Sequence, residues 1–460
     1  MRSPDTAAAH HAPILPLLAK ELWEIASGRA LWIMLLILCP LVGYSFFQAV
    51  SLYGEASSAG QDSPALASTL SPLDGVLVPT FGGLYLVATL LFPFVAIRTL
   101  GREKESGALA LLVQLPYRVP TLIVAKMAAI FGAWLAAVTC TASTLAVWLA
   151  LHGHLYVPET LNLVIGHLLY GLLIGAIALF SASISESAAT AAIVTLAFTI
   201  GSWVLDFALA GQPGVPGWIS RLSLTQTLRG FEQGLLSAGV LLGIVAAICG
   251  FAALAAVWLH PGVPLRTKAV RSAACVTVAA ALIALATRVG VSVDLTEDRR
   301  NSFPAADQRA LADLREPLII TVHLAPEDPR YVDLRRNVLA KLERAMPRVA
   351  IRLATTGQSV VGSASEEAYG EIEYSYGGRS DKSRSTSPRE IVPLIYALAG
   401  RPNPTPIAGE EYPGHPLLAS GSPALVWFFG ALPLLIVIGW WSSRRPPQIA
   451  PQLIKDGGLP

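Results

Sequence analysis

The stretch IRTLGREKESGALALLVQLPYRVPTLIVAK, Ile97 to Lys126, decides how the rest of the chain is read. It sits between two long apolar runs yet carries five cationic side chains: Arg98, Arg102, Lys104, Arg118 and Lys126. Glu103 and Glu105 stand among them, and a charge-free block, Ala108 to Leu115, is bounded by Gly107 and the helix-stopping Pro116. Short loops rich in Lys and Arg translocate poorly, so this one is expected on the cytoplasmic side. The block has good helix formers and reads as a short helix against that face, where another protein can push on it. An ordinary positive-inside loop would carry the same charges.

Outward from this loop the chain is apolar. Of its 460 residues 53% are hydrophobic and 14% charged, about half the charged share usual for a soluble protein. Runs long enough to cross about 30 Å of hydrocarbon lie near 30–52, 76–97, 124–151, 162–184, 187–209, 238–259, 272–291 and 423–441. The run from Ala30 is too long for a signal-peptide core and is expected to be retained. With the N-terminus inside, the inner segments hold fourteen Lys and Arg against two in the short outer loops, which places both termini in the cytoplasm. Ahead of the first run, ILPLLAKELWEIASGRALW reads as an amphipathic interfacial helix, with Leu18, Leu22 and Ile25 at helical spacing and Lys20 toward lipid head groups.

The spans are nearly free of charge. A charged residue at mid-bilayer costs about 2.5–3.5 kcal/mol on insertion scales, so ion-driven carriers keep such groups for a purpose. Only Asp206, Arg288 and His167 come close here, and each is expected at a span end with access to water. The energy for any transport must then arrive from outside the membrane. The net charge of +2 gives no reason to expect a nucleic-acid partner.

The loop that opens this section also resembles a known family. In the permeases of type 2 ABC exporters, the loop after the second span carries paired acidic residues, a Gly, a Leu-rich helix and a Leu-Pro. Glu103, Glu105, Gly107, Leu109, Leu111, Leu112, Leu115 and Pro116 fit that pattern, while Ala108 and Ala110 depart from it. The resemblance implies that Arg102, Glu103, Lys104, Glu105, Gly107 and Pro116 lie at the coupling surface for a separate ABC ATPase subunit. Glu103 and Glu105 are the expected partners of basic residues on that subunit. Arg102 and Lys104 are expected against lipid phosphates or acidic residues. It also implies a homodimer, or a heterodimer with a second permease, in contact with membrane lipids.

Between the fifth and sixth expected spans, Gly211, Pro213, Gly214, Pro216 and Gly217 break helix, and Trp218 to Leu236 reads as amphipathic. Leu222, Ser223, Arg229, Gly230 and Phe231 are similar to the gliding-motility-type (GldF/GldG-like) branch of ABC transport proteins. After the seventh run the composition changes. Pro317 to Leu324 reads as a strand, Pro329 to Ala345 as a helix and Val349 to Leu353 as a strand, a βαβ unit. Gly370 to Tyr376 is a third strand, and Ser387 to Leu398 a helix capped by Ser387. Asp294, Leu295, Thr296, Phe303, Leu311 and Leu314 resemble the auxiliary protein of the same gliding-motility-type systems, in shortened form.

No G-x-x-x-x-G-K-[ST] loop is present, so ATP is expected on the partner subunit and no cofactor on this chain. The chain is not expected to be an enzyme, since no nucleophile motif appears either. Cys39, Cys140, Cys249 and Cys275 all lie in apolar runs and read as small buried residues. His152 and His154 flank one Gly in an outer loop and read as solvated, with no metal spacing anywhere. Glu366, Glu367, Glu371 and Glu373 read as a solvated strand edge, and Tyr369, Tyr374 and Tyr376 among them are candidates for contact with a sugar or peptide.

The expectation is therefore a polytopic α-helical protein of about eight transmembrane helices with a small α/β extracytoplasmic domain, in a bacterial inner membrane. Residues 1–29 form the elbow, 30–259 a six-span permease, 260–291 a link and seventh span, 292–422 the α/β domain, 423–441 the eighth span and 442–460 a cytoplasmic tail. An ABC exporter subunit is one reading. A mechanical or assembly scaffold that moves no solute is the other.

Overall fold

The computed structural model describes residues 14–61, 63–115, 117–209, 223–325, 328–354, 369–405 and 412–444. Pro116, the Gly/Pro-rich turn at 210–222, Glu366, Glu367 and Arg445 lie outside the described residues. Eight helices are long and apolar enough to cross a membrane. They are α2 (Arg29–Gln61), α3 (Leu73–Glu105), α5 (Val119–Ala150), α6 (Val157–Ile184), α7 (Ala188–Leu209), α9 (Ala238–Leu259), α10 (Leu265–Ala286) and α14 (Ser422–Ser443). Shorter helices flank them: α1 (Ile14–Ser27), α4 (Ala108–Leu112) and α8 (Leu224–Glu232).

The eight-span expectation and the spans' order are met, and the bundle is knit by small residues at close approaches. A Cβ on Gly43 would stand 2.3 Å from Phe428 Cβ, so α14 can seat against α2 only because position 43 lacks a side chain. The Trp427 indole donates to Ser143 Oγ at 2.9 Å, fixing α14 to α5 as well. The last span thus belongs to the bundle, despite the 160-odd residues that separate it in sequence from α9. The seventh span, α10, packs along α9 and is otherwise almost bare.

Three expectations about polar groups need correction. His167 is fully buried inside the bundle, edge-on to Phe81 with ring centroids 5.1 Å apart. It therefore lies far from water, because Phe81 and the α6 backbone enclose it. Asp206 is also buried and is held by Arg229 at 3.3 Å and Gln226 Nε2 at 2.8 Å. The elbow helix buries Leu17 and Glu21, whereas Leu22 is exposed, so its inward face is rotated from the one its apolar spacing suggests.

The α/β segment has a four-stranded sheet in the order β4-β3-β5-β6, with β3 at Leu318–Val322, β4 at Val349–Leu353, β5 at Ile372–Tyr376 and β6 at Arg379–Ser383. The β3–β4 pair is parallel, as a strand–helix–strand unit requires, and the intervening helix, α12, spans 329–345 with a π-turn at Arg335–Leu339. The β5–β6 hairpin turns on Gly377 and Gly378, both at positive φ, the two-residue turn that glycine permits. Leu318, Ile320 and Val322 alternate inward with Ile372, Tyr374 and Tyr376. They meet Leu334, Val338 and Leu342 of α12, Leu311 of α11 (Ala305–Ala312), and Ile391 and Ile395 of α13 (Pro388–Ala399). Ser387 occupies the N-cap position of α13, but its side chain makes no capping bond, and Pro388 sets the first turn instead.

This packing removes most of the tyrosine surface expected from the sequence. Tyr374 and Tyr376 are core residues, because β5 is an inner strand whose face bearing Ile372, Tyr374 and Tyr376 is covered by helices. Tyr369 is exposed and donates its hydroxyl to Asp328 at 2.8 Å. Glu371 is paired with Lys382 and Arg384 at 3.2 Å each.

A small second sheet joins the two parts of the chain. β1 (Leu235–Ser237), ahead of α9, pairs antiparallel with β2 (Ser292–Asp294), beyond α10. Asp294 closes the turn that follows: one carboxylate oxygen accepts from Thr296 N and Oγ1 at 3.1 and 2.6 Å, the other from Asn301 N and Ser302 Oγ at 3.0 and 2.8 Å.

Replacing Tyr374 by Ala is expected to lower stability by about 3–5 kcal/mol, as for other large core aromatics. Tyr369→Ala is expected to cost no more than about 1.5 kcal/mol, the worth of one exposed hydrogen bond. Thermal unfolding of the detergent-purified chain measures both. Equal losses would place the two tyrosines in the same environment.

Candidate functional site

At the end of the bundle that bears α1, the loop quoted above folds back into the protein. Lys126 is fully buried, and its ammonium reaches both carboxylate oxygens of Glu21 at 3.0 Å, Glu103 Oε2 at 2.7 Å and the carbonyl of Thr99 at 2.8 Å. Glu21 and Glu103 are 1% and 3% exposed. Lys20 closes the cluster from its rim, bonded to Glu103, to Glu21 at 3.2 Å and to Glu24 at 3.4 Å. Burial alone would lower the Lys20 pKa, but the hydrogen bond to Glu103 and the charge of Glu21 outweigh it, holding the ammonium well above the usual lysine value.

The residues come from three elements: Lys20 and Glu21 from the elbow, Glu103 from the end of α3, Lys126 from the first turns of α5. An apolar pin stands beside them, Leu17 of the elbow packed on Leu112, Leu122 and Ala125. Two buried carboxylates face two ammonium groups, so the cluster is close to neutral. Breaking such a group on one side leaves a buried charge without its partner, a cost of about 3–5 kcal/mol. The elbow is therefore a fixed part of the bundle.

The structure reassigns several of the six coupling candidates. Glu103 was expected to face an outside partner; it faces inward, because Lys126 would otherwise be buried with a single counter-ion. Lys104 was expected among lipid phosphates or acidic groups. Its ammonium instead donates to the carbonyls of Ala182, Ser183 and Ser185 at 2.7, 2.8 and 2.9 Å, the unpaired C-terminal carbonyls of α6. Gly107 has φ +74°, the left-handed conformation that ends α3 and turns the chain into α4. Arg102 and Glu105 are exposed, with Arg98 beside them along a cleft that Ala30, Phe94 and Ala188 also line. Leu111 and Leu115 are 68% and 51% exposed. Glu21 was missed in the sequence; a glutamate on the inward face of an otherwise apolar elbow was the available signal.

At the opposite end the fold gives His154, read from the sequence as a solvated loop residue, two partners while leaving 38% of its side chain exposed. His154, Glu297 and His415, from three separate segments, gather with their ligand atoms within 4.8 Å of one another. Sequence spacing cannot show this, since the residues lie more than a hundred positions apart.

The fold and these sites define a multi-pass membrane protein whose polar machinery is concentrated at the ends of its spans. Residues 15–211, from the elbow through the fifth span, match the family model described as ABC-2 family transporter protein. The match supports an ABC-type membrane permease for this part of the chain. No curated protein and no solved structure matches the chain.

Lys126→Met is expected to destabilise the chain by about 3–5 kcal/mol by leaving Glu21 and Glu103 with Lys20 alone. Removing Glu21 as well, in Lys126→Met with Glu21→Met, is expected to recover most of that loss. Thermal unfolding in detergent reads both variants, and a double variant no better than the single one would show that charge balance does not govern this site.

Proposed function

We propose that the chain is the membrane subunit of an ABC-type exporter, driven by a separate ATPase subunit that binds ATP and docks at the elbow end of the bundle. One observation carries this reading. The buried Lys126–Glu21–Glu103 cluster ties the elbow rigidly to the second and third spans, while Arg98, Arg102, Glu105, Leu111 and Leu115 beside it are left open to solvent. A push on these exposed groups reaches three helices at once, since the charges that join them cannot separate cheaply. Exposed Leu111 on the five-residue helix α4 and Leu115 just beyond it suit an apolar cleft on a partner.

In this reading the elbow end is cytoplasmic, in a bacterial inner membrane, with both termini inside. The α/β segment of 292–422 is extracytoplasmic and contacts substrate or a partner there. Two such chains, or this chain and a second permease, form the pathway among membrane lipids. The likeness of residues 290–400 to gliding-motility-type auxiliary proteins, and of Leu222, Ser223, Arg229, Gly230 and Phe231 to the permeases of that branch, belongs to the same proposal.

Glu105→Lys together with Leu111→Asp and Leu115→Asp is expected to cut ATPase binding by at least about tenfold, as loss of interface anchors does, without affecting insertion. Glu103→Lys is expected instead to disrupt the fold, by placing a third cation beside Lys20 and Lys126. Co-purification with the ATPase and ATP hydrolysis in reconstituted vesicles are the measurements. Wild-type coupling in the triple variant would refute the docking surface. ATP hydrolysis with no movement of a labelled lipid or glycan would favour the mechanical scaffold.

A further inference from the structure

We infer that His154, Glu297 and His415 form a binding site for a tetrahedral divalent transition ion, Zn²⁺ by ligand type, at the end of the bundle opposite the elbow. The two imidazole rings stack with centroids 3.5 Å apart and planes 14° from parallel. Both Nε2 atoms face one carboxylate. His154 Nε2 lies 2.8 Å from Glu297 Oε2, and His415 Nε2 lies 3.2 Å from each Glu297 oxygen. Ligand atoms bound to zinc at about 2.0–2.1 Å are about 3.3 Å from one another in a tetrahedron. The N–O separations lie within about half an ångström of that value and all the ligand atoms within 4.8 Å of one another; binding also requires the stacked rings to tilt so that both Nε2 lone pairs converge on the ion.

Two imidazoles and one carboxylate suit zinc better than calcium or magnesium, which favour oxygen donors. His154 keeps 38% of its side chain exposed, so water can complete the fourth position. Arg300, three residues beyond Glu297, does not compete for the carboxylate, because Asp298 at 2.9 Å and Asp74 hold its guanidinium.

The three ligands are held in place by contacts that do not involve one another. The Trp148 indole donates to the carbonyl of His154 at 2.7 Å. The Tyr53 hydroxyl donates to the carbonyl of His415 at 2.6 Å, and His415 N donates to the carbonyl of Leu70 at 3.1 Å. Glu297 N donates to the buried Glu159 carboxylate at 3.2 Å. The site joins the loop after α5, the entry to the α/β segment and the approach to α14. A bound ion would therefore clamp that segment to the bundle at both of its ends.

The test uses the full chain without an affinity tag, with His10→Ala and His11→Ala as background, stripped with chelator and titrated with Zn²⁺ or Co²⁺. One ion per chain is expected, with the visible absorption of tetrahedral Co²⁺ and a rise in thermal midpoint on adding zinc. His154→Ala, His415→Ala and Glu297→Gln are each expected to weaken binding by about 100-fold or more, beyond the loss typical of an outer-shell partner. Gel filtration establishes that each variant is folded, and His154→Gln or His415→Gln replaces a histidine variant that is not. No stoichiometric zinc on the background chain, or undiminished binding in folded variants of two of the three residues, would overturn the assignment.

Discussion

An ammonium group with no access to water must be neutralised where it stands, and at Lys126 that demand falls on carboxylates from two other helices. Glu21 comes from the elbow and Glu103 from the end of the second span, and both are as inaccessible as the lysine they serve. Three elements that would otherwise touch only through apolar side chains are thereby fixed in one register. Apolar contacts between helices in a membrane are easily exchanged for lipid, whereas a buried ion cluster has no substitute partner there. The position of everything exposed at this end, from Arg98 to Leu115, follows from that constraint.

The opposite end is organised by a different kind of polar closure. Asp294 satisfies five donors of its own turn, and the β1–β2 pair stitches the loop before α9 to the exit from α10. Gly234, at φ +74°, leaves room for Thr296, whose Cγ2 would stand 2.2 Å from any Cβ placed there. The α/β segment therefore leaves the bundle through a defined joint. It returns through His415 and the Gly43–Phe428 contact, so it is held to the helices at both boundaries.

Between these ends the bundle interior is quiet. His167 is enclosed by Phe81 and its own helix, and Asp206 is paired with Arg229 and Gln226. No charge among the described span residues stands where an ion-coupled carrier would need one free in mid-bundle. The polar clusters of this molecule lie at its rims.

Much of this architecture was legible in the sequence. The lengths of the apolar runs determined eight helices, since only about twenty apolar residues can cross hydrocarbon as a helix and each such run leaves few alternatives. Period-two and helical patterns likewise placed β3, α12, β4 and β5, because each pattern arises within one element. What the sequence did not contain was the partner of each polar group. Glu103 between Arg102 and Lys104 reads as a surface charge until Lys126, 23 residues on, and Glu21, 82 residues back, are brought against it. Tyr374 reads as a strand-edge aromatic until β6 and α13 cover its sheet, and His154 reads as a loop residue until Glu297 and His415 arrive from far along the chain. Pairing energies depend on distance in space, steeply so where water is absent, and only the tertiary structure sets those distances.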